Sequence, residues 1–165
     1  MCLGQTDALM TILYPALLLV TLWVCFFVHF SSSLNWQMVS DVGVYGLVAT
    51  AVAFPVFHGE WGEFKFAGYI IAMASGIGLI GKLLIDAKRP DKSGNDSFPS
   101  NHTANAFAAS TVLAMSYGWI IGLLSYGLAM LVGLGRVKAL KHHWRDVIVG
   151  LCVGLSTAIA AVAWI

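Results

Sequence analysis

Apolar residues dominate this chain in long runs, and polar residues collect at the ends of those runs. Six stretches stand out, near residues 9–30, 42–57, 67–85, 103–117, 119–135 and 146–165. The first, from Leu9 to Phe30, is long enough to cross roughly 30 Å of hydrocarbon at about 1.5 Å per helical residue. The second, fourth and fifth are short for a crossing, and flanking residues such as Trp61 or local thinning of the bilayer would extend them. Pro55 lies near the end of the second stretch, where a helix tolerates a kink. Small residues recur as Gly118-x-x-x-Gly122 and Gly150-x-x-x-Gly154, a spacing that lets helices approach closely. The pattern predicts an all-α, polytopic membrane protein, a bundle of six transmembrane helices in one domain covering residues 1–165.

Composition agrees: 59% of the residues are hydrophobic and only 10% are charged, which excludes an ordinary soluble domain. The Leu9–Phe30 stretch lacks the basic leader and small-residue cleavage site of a secretion signal, so it is expected to remain in the mature chain. A formal net charge of +1, with no basic stripe interleaved with aromatics, argues against nucleic acid as a partner. Cys25 and Cys152 fall inside apolar runs and read as buried small hydrophobes. Cys2 only weakly resembles a lipidation position, and no Cys/His spacing suits zinc. Nothing in the pattern specifies an oligomeric state.

The polar exceptions form three clusters: Lys82 with Arg89-Pro90, then Pro99-Ser100-Asn101-His102, then Arg136 with His142 and Asp146. With six spans, the loops after the first, third and fifth share one side of the membrane, which puts all three clusters on one face. This convergence depends on the chain turning at Tyr117-Gly118-Trp119. The longest polar stretch, residues 86–101, is rich in Pro, Gly, Ser, Asn and Asp and reads as an ordered or semi-ordered loop of functional length.

Each cluster has a plain reading and a chemical one. His142 and Asp146 are four residues apart; if helical geometry reaches back to His142, the carboxylate accepts the proton on one imidazole nitrogen and frees the other to attack. His143 competes for that role, and both histidines also read as interfacial residues beside Trp144. His102 is a candidate proton donor to a departing alkoxide. Ser100 and Asn101 stand where a loop becomes a helix, as N-caps, as phosphate ligands, or as both. Lys82, Arg89 and Arg136 suit phosphoryl oxygens, although single cations at helix ends commonly only snorkel.

The three motifs in order resemble the type 2 phosphatidic acid phosphatase superfamily, whose signature is Lys-x6-Arg-Pro, Pro-Ser-Gly-His and Ser-Arg-x5-His-x3-Asp. The resemblance implies a metal-independent, cofactor-free membrane phosphatase acting on a lipid phosphate or pyrophosphate: phosphatidic acid, phosphatidylglycerol phosphate, polyprenyl pyrophosphate or lipid A phosphate. It implies His142 as nucleophile, Asp146 as its orienting carboxylate and His102 as acid. Lys82, Arg89, Ser100, Asn101 and Arg136 would bind substrate. Two positions depart from the signature. Gly135 replaces a serine, at an expected loss of about 1–3 kcal/mol of phosphate binding unless water substitutes. Asn101 replaces a glycine, a mild change because Asn tolerates left-handed backbone. Alternatives are a lipid phosphotransferase and a noncatalytic lipid-binding homologue; a channel or transporter suits ionisable groups at helix ends less well.

The resemblance also implies a bacterial inner membrane with the motifs on its extracytoplasmic face. Loop charge points the other way. Lys82, Lys88, Arg89, Lys92, Arg136, Lys138, Lys141 and Arg145 all fall on the motif side, against Lys65 on the other.

Overall fold

The computed structural model describes residues 14, 17–21, 23 and 35–163. Five helices are described end to end: α1 (Trp36–Phe57), α2 (Trp61–Leu84), α3 (Asn101–Tyr117), α4 (Trp119–Lys138) and α5 (Trp144–Val162). Residues 17–21, with Tyr14 and Trp23, are also helical and lie in the first expected span; most of that span, with Cys2 and Cys25, is outside the described residues. The chain is an all-α integral membrane protein. Among the described residues, four helices, α1, α2, α4 and most of α5, are long and apolar enough to cross a bilayer.

Helix α3 is the exception in composition and the centre in space. Its Ala104, Ala106, Ala108, Ala109, Ser110 and Thr111 are all buried, and it packs against α1, α2, α4 and α5. Small side chains make this position work, because a residue enclosed on every side must leave room for neighbouring helices. The glycine pairs divide the work. On α5, a Cβ at Gly150 or Gly154 would collide with the backbone carbonyls of Ser100 and Ala104, so α5 lies directly on α3. Gly118, by contrast, holds φ +88° at the turn from α3 into α4, a conformation that penalises other residues.

That turn fixes the topology on which the expected shared face depended. The start of α1, the end of α2, the start of α3, the end of α4 and the start of α5 all meet at one end of the bundle. Helix boundaries moved where polar residues hide a helix start. α1 begins six residues earlier than hydropathy places it, with Asn35 Oδ1 accepting from the backbone N–H groups of Gln37 and Met38 at 3.1 and 3.3 Å. This brings Ser40 and Asp41 into the bundle. Trp61 opens α2 instead of prolonging α1, after a turn at Gly59. Cys152 is exposed on α5, contrary to the expected burial, because the outer face of a membrane helix is apolar too.

Candidate active site

The loop between α2 and α3 is ordered by its own backbone. Ala87 N donates to Asn95 O (3.0 Å), Arg89 N to Gly94 O (2.9 Å) and Ser97 N to Ala87 O (2.9 Å), closing a short parallel bridge between Ala87 and Asp96. The bridge carries Arg89 back over the end of α2, where Lys82 emerges. Asp96 joins the two cations: Arg89 Nε and Nη2 each donate to its carboxylate at 2.8 Å, and Lys82 Nζ donates to its backbone carbonyl at 2.6 Å and to Oδ2 at 3.4 Å. The Arg89 hydrogen bonds hold the Asp96 carboxyl at about 2, well below the usual carboxylate range.

The connection from α4 to α5 is only five residues long, and it wraps the end of α4. Lys141 N and His142 N both donate to Arg136 O, at 3.1 and 3.3 Å. His142 is thereby turned inward until 2% of its side chain is exposed, whereas His143 stays outside with Nε2 3.3 Å from Lys88 O. Since α5 starts at Trp144, His142 is not helical and the expected direct contact is absent: Nδ1 lies 3.9 Å from Asp146 Oδ2. Nδ1 is instead 2.6 Å from the backbone carbonyl of Ser97. A carbonyl only accepts, so the proton sits on Nδ1 and the Nε2 lone pair is left for other use. Burial first, and then the nearby Arg136 charge, push the imidazole down to about 4, which keeps it neutral at physiological pH. Asp146, fully buried, receives Ser97 Oγ at 2.5 Å and His143 N at 2.8 Å on the same oxygen.

The third component comes from α1, which none of the sequence motifs includes. Asp41 Oδ1 accepts from Arg136 Nη1 at 2.9 Å and lies 3.0 Å from His102 Nε2, so one carboxylate oxygen joins the two. Ser40 Oγ is 3.4 Å from the same Arg136 nitrogen. Position 135 faces this contact: a Cβ there would lie 3.0 Å from both Ser40 Cβ and Trp36 O. Glycine at 135 therefore lets α1 close on α4, and the hydroxyl of Ser40 stands beside the place that a serine at 135 would occupy. Arg136 Nε is buried without a hydrogen-bond partner.

Lys82, Arg89, His102, Arg136, His142 and Asp146 are thus gathered at one end of the bundle. Ser100 is there as the N-cap of α3, fully buried, its hydroxyl accepting from Thr103 N at 3.4 Å, while its own N–H donates to Asp146 O at 3.0 Å. Asn101 differs. Its side chain turns away to α2, Nδ2 reaching Ser75 O at 3.5 Å, and it fills the space over Gly78 where any Cβ would collide. Among the described residues, no group of three or more His, Cys, Asp or Glu side chains is arranged to hold a metal ion.

One end of the bundle thus holds three cations and two imidazoles, with the buried Asp146 and the carboxylates of Asp41 and Asp96 among them. The model of the PAP2 superfamily matches residues 18–165, and the chain belongs to that family. It is 32% identical over 101 residues to a lipid A 1-phosphatase of Porphyromonas gingivalis, a match covering 58% of this chain and 22% of that protein. It is 36% identical over 90 residues to lipid phosphate phosphatase 2 of Arabidopsis thaliana, covering 46% of this chain and 31% of that one. The matches thus span between a fifth and a third of these curated relatives. The crystal structure of Aquifex aeolicus LpxE superposes with a TM-score of 0.67 at 24% identity, over 78% of this chain and 83% of that chain, and shares the fold.

Proposed function

We propose that the protein is a membrane phosphatase that removes phosphate from a lipid phosphate or pyrophosphate through a phosphohistidine on His142. One observation carries this reading: a buried, neutral His142 whose Nδ1 proton is held by a carbonyl, with Nε2 left as a nucleophile among three cations. Nε2 attacks phosphorus while the lipid oxygen departs, taking a proton from His102; water then attacks the phosphohistidine, returning a proton to His102 and releasing phosphate. Lys82, Arg89 and Arg136 hold the phosphoryl oxygens. The backbone at Ser100 and Asn101 borders this space. Asp146 supports His142. Asp96 occupies Lys82 and Arg89 until substrate replaces it, whereas Asp41 stays on Arg136.

Phosphate release from a panel of lipid phosphates in liposomes tests the reading, together with trapping of an acid-labile phosphoenzyme. His142→Ala abolishes both. Undiminished turnover in that variant would rule the mechanism out. The occupation of Lys82, Arg89 and Arg136 by carboxylates favours a second reading, a lipid-binding homologue without turnover, which the same panel would reveal as binding without phosphate release.

The proposed location is the bacterial inner membrane with the site on the extracytoplasmic face. Five of the eight motif-side cations, Lys82, Arg89, Arg136, Lys141 and Arg145, stand in ion pairs, so the charge excess partly reflects the site itself. A cysteine introduced at Lys92 should react with an impermeant thiol reagent in intact cells. Labelling only after the inner face is opened reverses the orientation.

A further inference from the structure

The reaction proposed for His142 needs one imidazole tautomer, and the residue that secures it is neither the expected carboxylate nor part of the three motifs as first delimited. Ser97 lies between His142 and Asp146 and touches both. Its carbonyl takes the Nδ1–H of His142 at 2.6 Å, and its hydroxyl donates to Asp146 Oδ2 at 2.5 Å, while Asp146 itself stays 3.9 Å from Nδ1. Ser97 and Asp146 are fully buried and His142 nearly so, which excludes water as an easy substitute for any of these contacts.

We propose that Ser97 is a positioning residue through which the Asp146 carboxylate fixes the His142 imidazole with its proton on Nδ1 and its Nε2 lone pair directed at phosphorus. The inference rests on the proposed phosphohistidine reaction.

A backbone carbonyl orients an imidazole only as well as the carbonyl is itself held. Ser97 is held at two points: its N–H by Ala87 O at 2.9 Å and its hydroxyl by Asp146. Asp146 is anchored in turn, accepting from His143 N at 2.8 Å, while its carbonyl binds Ser100 N at 3.0 Å. The serine hydroxyl is thus the link between the α5 carboxylate and the carbonyl that faces the nucleophile. When Nε2 acquires the phosphoryl group the ring becomes cationic, and its Nδ1–H then becomes a charge-assisted donor to the same carbonyl, with the carboxylate charge behind it. Ser97→Ala removes the hydroxyl and leaves the carbonyl in the chain. It separates anchoring from accepting with the loss of one oxygen atom.

The test uses the full chain in liposomes with a lipid phosphate, comparing wild type with Ser97→Ala, Asp146→Asn and the double variant. Nitrogen-15 NMR of histidine-labelled protein accompanies it, with His142→Asn to assign the signal. Ser97→Ala should lower kcat about 10- to 100-fold, the scale of a misplaced reacting group, with KM within about twofold. The double variant should lose no more than Asp146→Asn alone. His142 should show the Nδ1-protonated tautomer in wild type and a tautomer mixture in Ser97→Ala. Wild-type kcat in Ser97→Ala, additive losses in the double variant, or slowed turnover with an unchanged tautomer would each overturn the inference. Should wild type release no phosphate, the proposed reaction fails, while the tautomer comparison still decides whether Ser97 holds the ring.

Discussion

The two ends of the site use the same device in different settings. On the loop side, Asp96 gathers Lys82 and Arg89, and half of its side chain is exposed. On the helix side, Asp41 gathers Arg136 and His102, and the Arg136 side chain is 6% exposed. Coulomb attraction between similar groups is several times stronger away from water, but so is the penalty for leaving one of them unpaired. The loop pair is therefore exchangeable: its carboxylate can give way to another anion at small cost. The helix pair is part of the packing between α1 and α4. A single site thus combines a replaceable anion clamp with a fixed one.

The strongest way to break this comparison is Asp41→Ala. It strands the buried Arg136 guanidinium and should cost about 2–3 kcal/mol of stability, somewhat below the usual range for a broken buried pair because Asp41 is partly exposed. Unfolding in detergent measures this; a loss under 0.5 kcal/mol would mean that the helix pair is as exchangeable as the loop pair. Next comes Gly135→Ser, which restores the family serine but places its Cβ 3.0 Å from Ser40 Cβ and Trp36 O. It should destabilise by about 1–2 kcal/mol, as overpacking does, and should not raise phosphatase turnover. Asp96→Asn should cost less than about 1 kcal/mol, because the pair is solvated. It should also tighten inhibition by inorganic phosphate. Weakened phosphate inhibition would show that Asp96 positions the cations more than it competes for them.

Acid sharpens the comparison further. His142 is pushed down to about 4 from an ordinary 6.5, so its contribution to stability is full above pH 6.5 and is lost as pH falls towards 4. Asp96 is held at about 2 from 3.8, so its contribution is intact above pH 3.8 and is lost only below it. Stability measured against pH should therefore fall in two stages. His142→Gln should reduce the first stage without abolishing it, and Asp96→Asn should reduce only the second.

Much of the site was legible because its residues cluster along the chain. Lys82, Arg89, His102, Arg136, His142 and Asp146 sit in three short motifs at the ends of apolar runs, and helix parity was enough to bring them together. Asp41 was not legible: it lies 95 residues from Arg136, in a polar stretch that hydropathy reads as preceding a span. A signal did exist in Asn35, a good cap six residues before it. Asp96 and Ser97 were hidden differently, since Asp and Ser are ordinary turn residues and only the Ala87 bridge gives them their positions. The four-residue spacing of His142 and Asp146 suggested a helical pair, but the helix begins between them. Asn101 occupies a signature position, yet its side chain serves the packing of α3 on α2.

The contact of α5 with the carbonyls of Ser100 and Ala104 has a consequence for how the protein sits in different lipids. Bilayers vary in thickness, and spanning helices respond by tilting or sliding against one another. Most helix pairs meet through side chains that can change rotamer, so their register has some play. At Gly150 and Gly154 there is no side chain to yield, and the two main chains bear directly on each other. The helices that carry His102 and Asp146 must then tilt as one piece. A change of membrane would shift the depth of the site without altering the spacing between His102 and Asp146.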